Sequence, residues 1–323
     1  MEPHFGSVDL GGTNTVCAIA TADGTLLAER TIPTASHDGP AAVLNRIGGV
    51  LEELMRQTGA TLSGVGIGVP GLVDRAAGST VFLPNLPTQW RGIAVADCLG
   101  PRTGCPVHLL NDVRTATLGE LTYGRGRGVG TMLFFSLGTG VGGGVVVEGR
   151  LRLGPLGAAG ELGHQTVEPG GRMCGCGNRG CIETVASGPA ITAEGVWLML
   201  AGRAPHLHRL CDGRPDNVTP ARLAEAAECG DDAVRDAIAR VSAWLAIGIA
   251  NAVQVLHPEL VVLGGGVSGM GPLLFDGIRA GVRGRIGMFP AHDLRIERSA
   301  LGDKAGLYGG IALAVCAGKL ESL

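Results

Sequence analysis

Residues 131–148 read T-M-L-F-F-S-L-G-T-G-V-G-G-G-V-V-V-E. Thr131 to Leu137 is an apolar run of strand type, and Val145 to Glu148 forms a second one beyond the glycines. Glycines 138, 140 and 143 match G-x-G-x-x-G letter for letter. The dinucleotide-binding fingerprint needs a helix after those glycines, and here three valines and the Glu148-Gly149 turn follow. The stretch therefore predicts a β-hairpin whose glycine backbone approaches phosphate, and the Rossmann reading is rejected.

A second hairpin of this kind lies near the start of the chain. Val8-Asp9-Leu10-Gly11-Gly12-Thr13-Asn14-Thr15 runs into the apolar stretch Val16 to Ala20. Asp23-Gly24 is a two-residue turn signal, and Thr25 to Ile32 continues as a strand. Paired glycines and a Thr in such a turn offer amides and a hydroxyl to phosphate oxygens. Asp9 is placed to hold a hydrated Mg2+ bridging those oxygens. Alone, G-G-T is equally a plain hairpin.

Between the two hairpins, Pro40 to Gly59 is an amphipathic helix, with Val43, Leu44, Ile47, Val50, Leu51, Leu54 and Met55 on one face. Gly64 to Val69 reads as a buried strand, and Pro84 to Pro87 with Trp90 as a loop in which Asn85 is a candidate ligand contact. Pro106 to Leu110 is a further strand, closed by Asn111-Asp112, and Val113 to Tyr123 is helical. A carboxylate at the C-terminal end of a strand is where open α/β sheets place their chemistry. Read locally, Asp112 is the N-cap of the helix; an Asp can be both cap and base.

After the second hairpin comes H-Q-T-V-E-P-G-G-R-M-C-G-C-G-N-R-G-C-I-E, residues 164–183, with Glu161 just ahead. Cys174, Cys176 and Cys181 fall within eight residues, separated by glycines and one Asn-Arg pair, with His164 ten residues upstream. One His and three Cys form the closed tetrahedral shell of structural zinc. C-x-C bridging is strained and the total of nine Cys is odd, which argues against disulfides. An iron–sulfur cluster would want a fourth Cys, and the nearest are Cys105 and Cys211.

At 323 residues the chain is long enough for two domains. Apolar residues make up 45% but aromatics only 3%, so Val, Leu, Ile and Ala must build the core. Net charge is −3, which argues against a nucleic-acid surface. Lys occurs only at Lys304 and Lys319, so there is no Walker-type lysine, and nucleotide phosphate must be held by main-chain N–H groups and metal. No signal peptide precedes Val8 and no uninterrupted apolar run reaches the ~18 residues of a membrane span, so a soluble, cytoplasmic protein is expected.

Two strand–glycine–strand turns with an Asp between them are the pattern of the actin-like ATPase and sugar-kinase architecture. D-x-G-G-T-N at Asp9 to Asn14, Asn111-Asp112 with A-x-L-G-E at Ala116 to Glu120, L-G-T-G-V-G-G-G at Leu137 to Gly144, A-G-E-L-G-H at Ala159 to His164, and C-G-C-G-N-R-G-C-I-E closely resemble the ROK family over nearly the whole chain. That family holds bacterial sugar kinases and sugar-responsive repressors. The resemblance implies a two-lobed α/β fold, actin-like and ribonuclease H-like, with a zinc-binding loop. The expected lobes are 1–111 with the returning helix 306–323, and 112–305.

The resemblance also implies transfer of the ATP γ-phosphoryl group to a hexose, glucose first, with lobes closing over the sugar. Asp112 would be the general base. Asn85, Asn111, Asp112, Glu161, His164 and Glu183 would bind the sugar. Asp9, Gly11, Gly12, Thr13, Asn14, Gly138, Thr139, Gly140, Gly265 and Gly266 would bind ATP with Mg2+. Zinc on His164, Cys174, Cys176 and Cys181 would be structural, with the His164 ring serving metal and sugar through different nitrogens. A homodimer or homotetramer is implied. Relatives often continue after Asn-Asp with a small residue and Asn, whereas here Val113-Arg114-Thr115 follows.

Past the zinc loop, helices are expected from Ser187-Gly188 to about Leu200, after Thr219-Pro220, from Asp231 to Leu256 and from Leu307 to Val315. Pro205 to Pro215 reads as a connecting loop, and Leu260 to Leu263 and Leu294 to Ile296 as strands. N-acetylmannosamine, N-acetylglucosamine or fructose kinases, polyphosphate as donor and a non-catalytic sugar sensor are the alternatives. A ROK repressor would carry a helix-turn-helix ahead of the first glycine turn, where only eight residues precede Asp9.

Overall fold

A computed structural model describes residues 2–83, 86 and 90–320. Asn85 lies outside the described residues. In chain order come β1 (His4–Leu10), β2 (Asn14–Thr21), β3 (Leu26–Pro33), α1 (Pro40–Thr58), β4 (Leu62–Val69), β5 (Leu72–Asp74), β6 (Ser79–Phe82), α2 (Val95–Thr103), β7 (Val107–Asn111) and α3 (Asp112–Tyr123). There follow β8 (Met132–Leu137), β9 (Val141–Val147), β10 (Arg150–Leu151), α4 (Glu183–Ala186), α5 (Gly188–Leu200), α6 (Pro205–Leu210) and α7 (Pro220–Cys229). The last are α8 (Asp232–Leu256), β11 (Leu260–Gly264), α9 (Pro272–Arg283), β12 (Arg295–Arg298) and α10 (Ala305–Val315).

The chain forms two compact units. The first comprises residues 1–130, 144–159 and 299–323, and the second 131–143 and 160–298. Helix α3, which the sequence reading places at the opening of the large lobe, belongs to the first unit. There it packs against α10, which returns to the same core. Small residues let the two helices touch. A Cβ at Gly309 would run into the Thr115 carbonyl, and one at Gly119 into the Ala305 carbonyl.

The first unit's sheet has the order β3-β2-β1-β4-β7, with β1, β4 and β7 parallel. Helix α1 buries Val43, Leu44, Ile47, Val50, Leu51 and Leu54, the face its spacing predicts, and ends on Gly59. Ser7 of β1 donates to the Leu307 carbonyl of α10 at 2.6 Å, tying the returning helix to the central strand.

The second sheet runs β10-β9-β8-β11-β12, with β8, β11 and β12 parallel. Strand β9 begins at Val141, earlier than expected, so Gly142 to Gly144 lie in the strand and not in a turn. Packing explains the glycines, since a side chain at Gly143 would meet Leu162 and one at Gly144 would meet Thr117. Helix α8 is long and apolar enough to cross a membrane by length and composition alone. Val234, Ile238, Val241, Leu245, Ile249 and Val253 on one face of it are instead buried, and the helix packs on α9.

Pro205 to Leu210, expected as part of a loop, is helix α6. Its start is closed from a distance: the Asp231 carboxylate accepts from His206 N at 3.1 Å and Leu207 N at 2.8 Å. All nine cysteines are free.

Candidate active site

The first unit brings its share of the candidate residues to the C-terminal ends of parallel strands. Asp9 of β1 stands beside Gly68 of β4, and Gly68 beside Leu110 of β7, so the strand ends carrying Asp9 and Asn111-Asp112 are two strand positions apart. Asp9 is half-buried. Burial first, and then the Asp112 carboxylate, raise its pKa from 3.8 to about 7. Gly306 in α10 leaves room for it, because a Cβ there would strike the Asp9 carboxylate.

The turn after Asp9 is tight. Gly11 N donates to Asn14 O at 3.0 Å, and a Cβ on Gly11 would lie 2.6 Å from that oxygen. Gly12, Thr13 and Asn14 are exposed. Thr34, unmarked in the sequence, pins the turn from β3: its Oγ1 donates to Gly11 O at 2.7 Å and its N–H to Thr13 O at 2.8 Å. Only the pairing of β2 with β3 makes that contact.

Asn111, not Asp112, caps α3. Its φ of −58° and ψ of 142° are non-helical, and its Oδ1 accepts from Val113 N at 3.1 Å and Arg114 N at 3.2 Å. Its Nδ2 donates to Gly71 O at 3.1 Å. Asp112 is the first helical residue, half-buried, and its Oδ1 accepts from Val113 N at 2.8 Å. The cap is thus supplied by the Asn111 side chain, with the Asp112 carboxylate sharing the Val113 N–H.

In the second unit the turn Gly138 to Gly140 is closed by Gly138 N donating to Gly140 O at 2.9 Å. Gly188 N, at the start of α5, donates to Gly138 O at 2.8 Å. The glycine turn after β11 packs beneath the same strand end: a Cβ on Gly265, which has φ +77°, would sit 2.5 Å from Leu137 O. Thr139 and Gly266 are exposed. These residues form one cluster of backbone amides.

Glu183 reaches this cluster, accepting from Val141 N at 3.0 Å through Oε2. Its Oε1 accepts from the Cys174 thiol at 3.4 Å. The sequence reading places Glu183 among the sugar contacts; the structure adds that it bridges the glycine turn and the cysteine loop. Val141 lies 42 residues earlier in the chain, and no local pattern signals that bond.

His164, Cys174, Cys176 and Cys181 have ligand atoms all within 4.8 Å of one another. Cys174 Sγ is 3.6 Å from His164 Nδ1, and Cys176 Sγ is 3.7 Å from Cys181 Sγ. Tetrahedral zinc, with bonds of about 2.3 Å to sulfur and about 2.0 Å to nitrogen, sets ligand atoms roughly 3.5–3.8 Å apart. The cluster fits such an ion. Burial raises the pKa of Cys174 and Cys181, and backbone N–H donation from Asn178 lowers that of the exposed Cys176. A cation is what would keep the two buried sulfurs as thiolates. With Nδ1 turned to the sulfurs, His164 Nε2 lies 3.8 Å from Glu161 Oε2.

The model of the family described as "ROK family" matches residues 5–316. The glucokinase of Thermotoga maritima is 37% identical over 316 residues, covering 95% of each chain. A xylose repressor of Caldicellulosiruptor bescii is 32% identical over 259 residues, which are 80% of this chain but 64% of the repressor. Among solved structures, a ROK family glucokinase from Streptomyces griseus in complex with glucose and AMPPNP superposes with a TM-score of 0.82 at 33% identity, covering 97% of this chain and 99% of that one. With a family match along nearly its whole length and the strand–glycine–strand turns in place, this chain belongs to the ROK family and has its α/β actin-like ATPase fold.

Proposed function

We propose that this protein is an ATP-dependent hexose kinase whose sugar is glucose and whose general base is Asp112. The observation that carries the reading is the placement of Asp112 as the first residue of α3, after the Asn111 cap at the C-terminal end of parallel strand β7 and close enough to Asp9 to act on it. Identity of 37% to a glucokinase over 95% of each chain supports a catalytic role.

In this reaction the C6 hydroxyl oxygen of glucose forms a bond to the γ-phosphorus as the bond from that phosphorus to the ADP oxygen breaks. The hydroxyl proton passes to Asp112. Phosphoryl transfer asks little covalent chemistry of a protein, so positioning and charge neutralisation supply most of the rate. Gly11 to Asn14, Gly138 to Gly140 and Gly265-Gly266 would hold ATP by main-chain N–H groups, and Asp9 would hold the hydrated Mg2+. That ion, when bound, neutralises charge on the phosphates. Asn111, Asp112, Glu161, His164 and Glu183 would take the sugar hydroxyls. Zinc on His164 and the three cysteines would be structural: it would fix the imidazole so that Nε2 faces the ligand side.

A coupled ADP assay with glucose, mannose, fructose, N-acetylmannosamine and N-acetylglucosamine tests the assignment, with glucose expected to give the highest kcat/KM. Asp112→Asn should lower kcat by about 10²–10⁴-fold while glucose binding by calorimetry survives. Turnover near wild type would remove Asp112 from the mechanism.

A further inference from the structure

Arg114 lies in the first turn of α3, and only 2% of it is exposed. A guanidinium taken from water costs several kcal/mol unless its donors are met, and here the acceptors converge on it. Nε donates to Ala159 O at 3.1 Å, Nη2 to Ala158 O at 3.1 Å and Nη1 to Asn111 Oδ1 at 3.2 Å. A planar fork can hold two adjacent carbonyls and a side-chain amide together, whereas an ammonium cannot.

Both ends of that fork lead to residues of the proposed sugar site. Asn111 Oδ1 receives the guanidinium together with two main-chain N–H groups, and one of the two Nδ2 hydrogens goes to Gly71 O. The rotamer of that amide is thereby fixed next to Asp112. At the other end, Ala158 and Ala159 stand between two left-handed glycines, Gly157 at φ +71° and Gly160 at φ +91°. Glu161 follows at once. Glycines on both sides make the segment pliable, and the fork supplies the rigidity they withhold.

We propose that Arg114 is the positioning residue of the sugar site, holding the Asn111 amide and the 158–159 backbone in the geometry that hexose hydroxyls require. The proposal rests on the kinase reading above. It assigns Arg114 no contact with the reacting atoms, and it predicts an effect on sugar affinity that ATP does not share.

Arg114→Lys keeps the charge and loses the fork. Losing one or two charge-assisted hydrogen bonds should raise the KM for glucose, and the calorimetric Kd for glucose without ATP, by about tenfold or more. The KM for ATP should stay within about twofold. Should the Lys variant fold poorly, Arg114→Ala assayed with added guanidinium gives a second reading: guanidinium should restore glucose affinity, as filling an empty structural hole with methylated amines should not. An unchanged glucose KM in the Lys variant, or equal losses for glucose and ATP, or no selective rescue, would overturn the role of Arg114 while leaving the kinase intact. Failure of the wild-type enzyme to phosphorylate any sugar tested would instead overturn the kinase reading itself.

Discussion

Replacing Asp9 by Asn removes a carboxylate that the fold holds protonated well above its ordinary range. Its pKa rises from 3.8 to about 7 because it is buried and because Asp112 is close. Between those two pH values the folded protein binds a proton that the unfolded chain has released. Stability therefore falls as pH rises through this window, and the loss is complete above about 7. At about 1.4 kcal/mol per pH unit, the three-unit gap corresponds to about 4 kcal/mol, an upper bound because solvent screens a half-buried carboxylate. Asp9→Asn is isosteric and carries no charge at any pH. Urea unfolding of both proteins at pH 5 and at pH 8, without nucleotide or Mg2+, should show the variant gaining on the wild type at the higher pH by up to about 3 kcal/mol. The same variant should lose most of its turnover with MgATP. A stability difference that is the same at both pH values would refute the reasoning, since no buried ionisation would then separate the two proteins.

Cys176→Ser should release zinc, read by a thiol-insensitive metal indicator, and raise the KM for glucose more than that for ATP. Zinc retained in full would exclude Cys176 as a ligand. Gly309→Ala places a methyl group against the Thr115 carbonyl, where backbone faces backbone and neither can yield cheaply. A loss of about 1–3 kcal/mol in urea unfolding is expected, and an unperturbed midpoint would contradict the close helix approach. Asp231→Ala leaves two N–H groups of α6 without their acceptor. It should cost about 1–2 kcal/mol without changing either KM.

Much of the fold could be read from local pattern, because both glycine turns are flanked by apolar runs of strand length and α1 repeats its apolar residues at helical spacing. The cysteine loop was equally plain, since four candidate ligands within 18 positions need little help from tertiary structure. What could not be read depends on residues distant in sequence. Helix α6 takes its cap from Asp231, 25 residues after His206. The exchange of cap between Asp112 and Asn111 turns on backbone angles at the end of β7, to which either residue type is suited. Thr34, the tie from Glu183 to Val141 and the environment of Asp9 all come from strand pairing or chain return. Arg114 looked like a departure from its relatives until acceptors for its guanidinium were in view, two of them more than 40 residues downstream.

The return of α10 to the core of the first unit bears on how the chain is made. Strand β1 leaves the ribosome well ahead of its partner Leu307, which emerges 300 residues after Ser7. At about 5–20 residues per second, the N-terminal sheet waits many seconds for the helix that completes it. The inserted unit, its sequence largely contiguous, can collapse in the meantime. Nascent chains stalled before residue 305 should therefore protect the second unit from protease and leave the first one open to it.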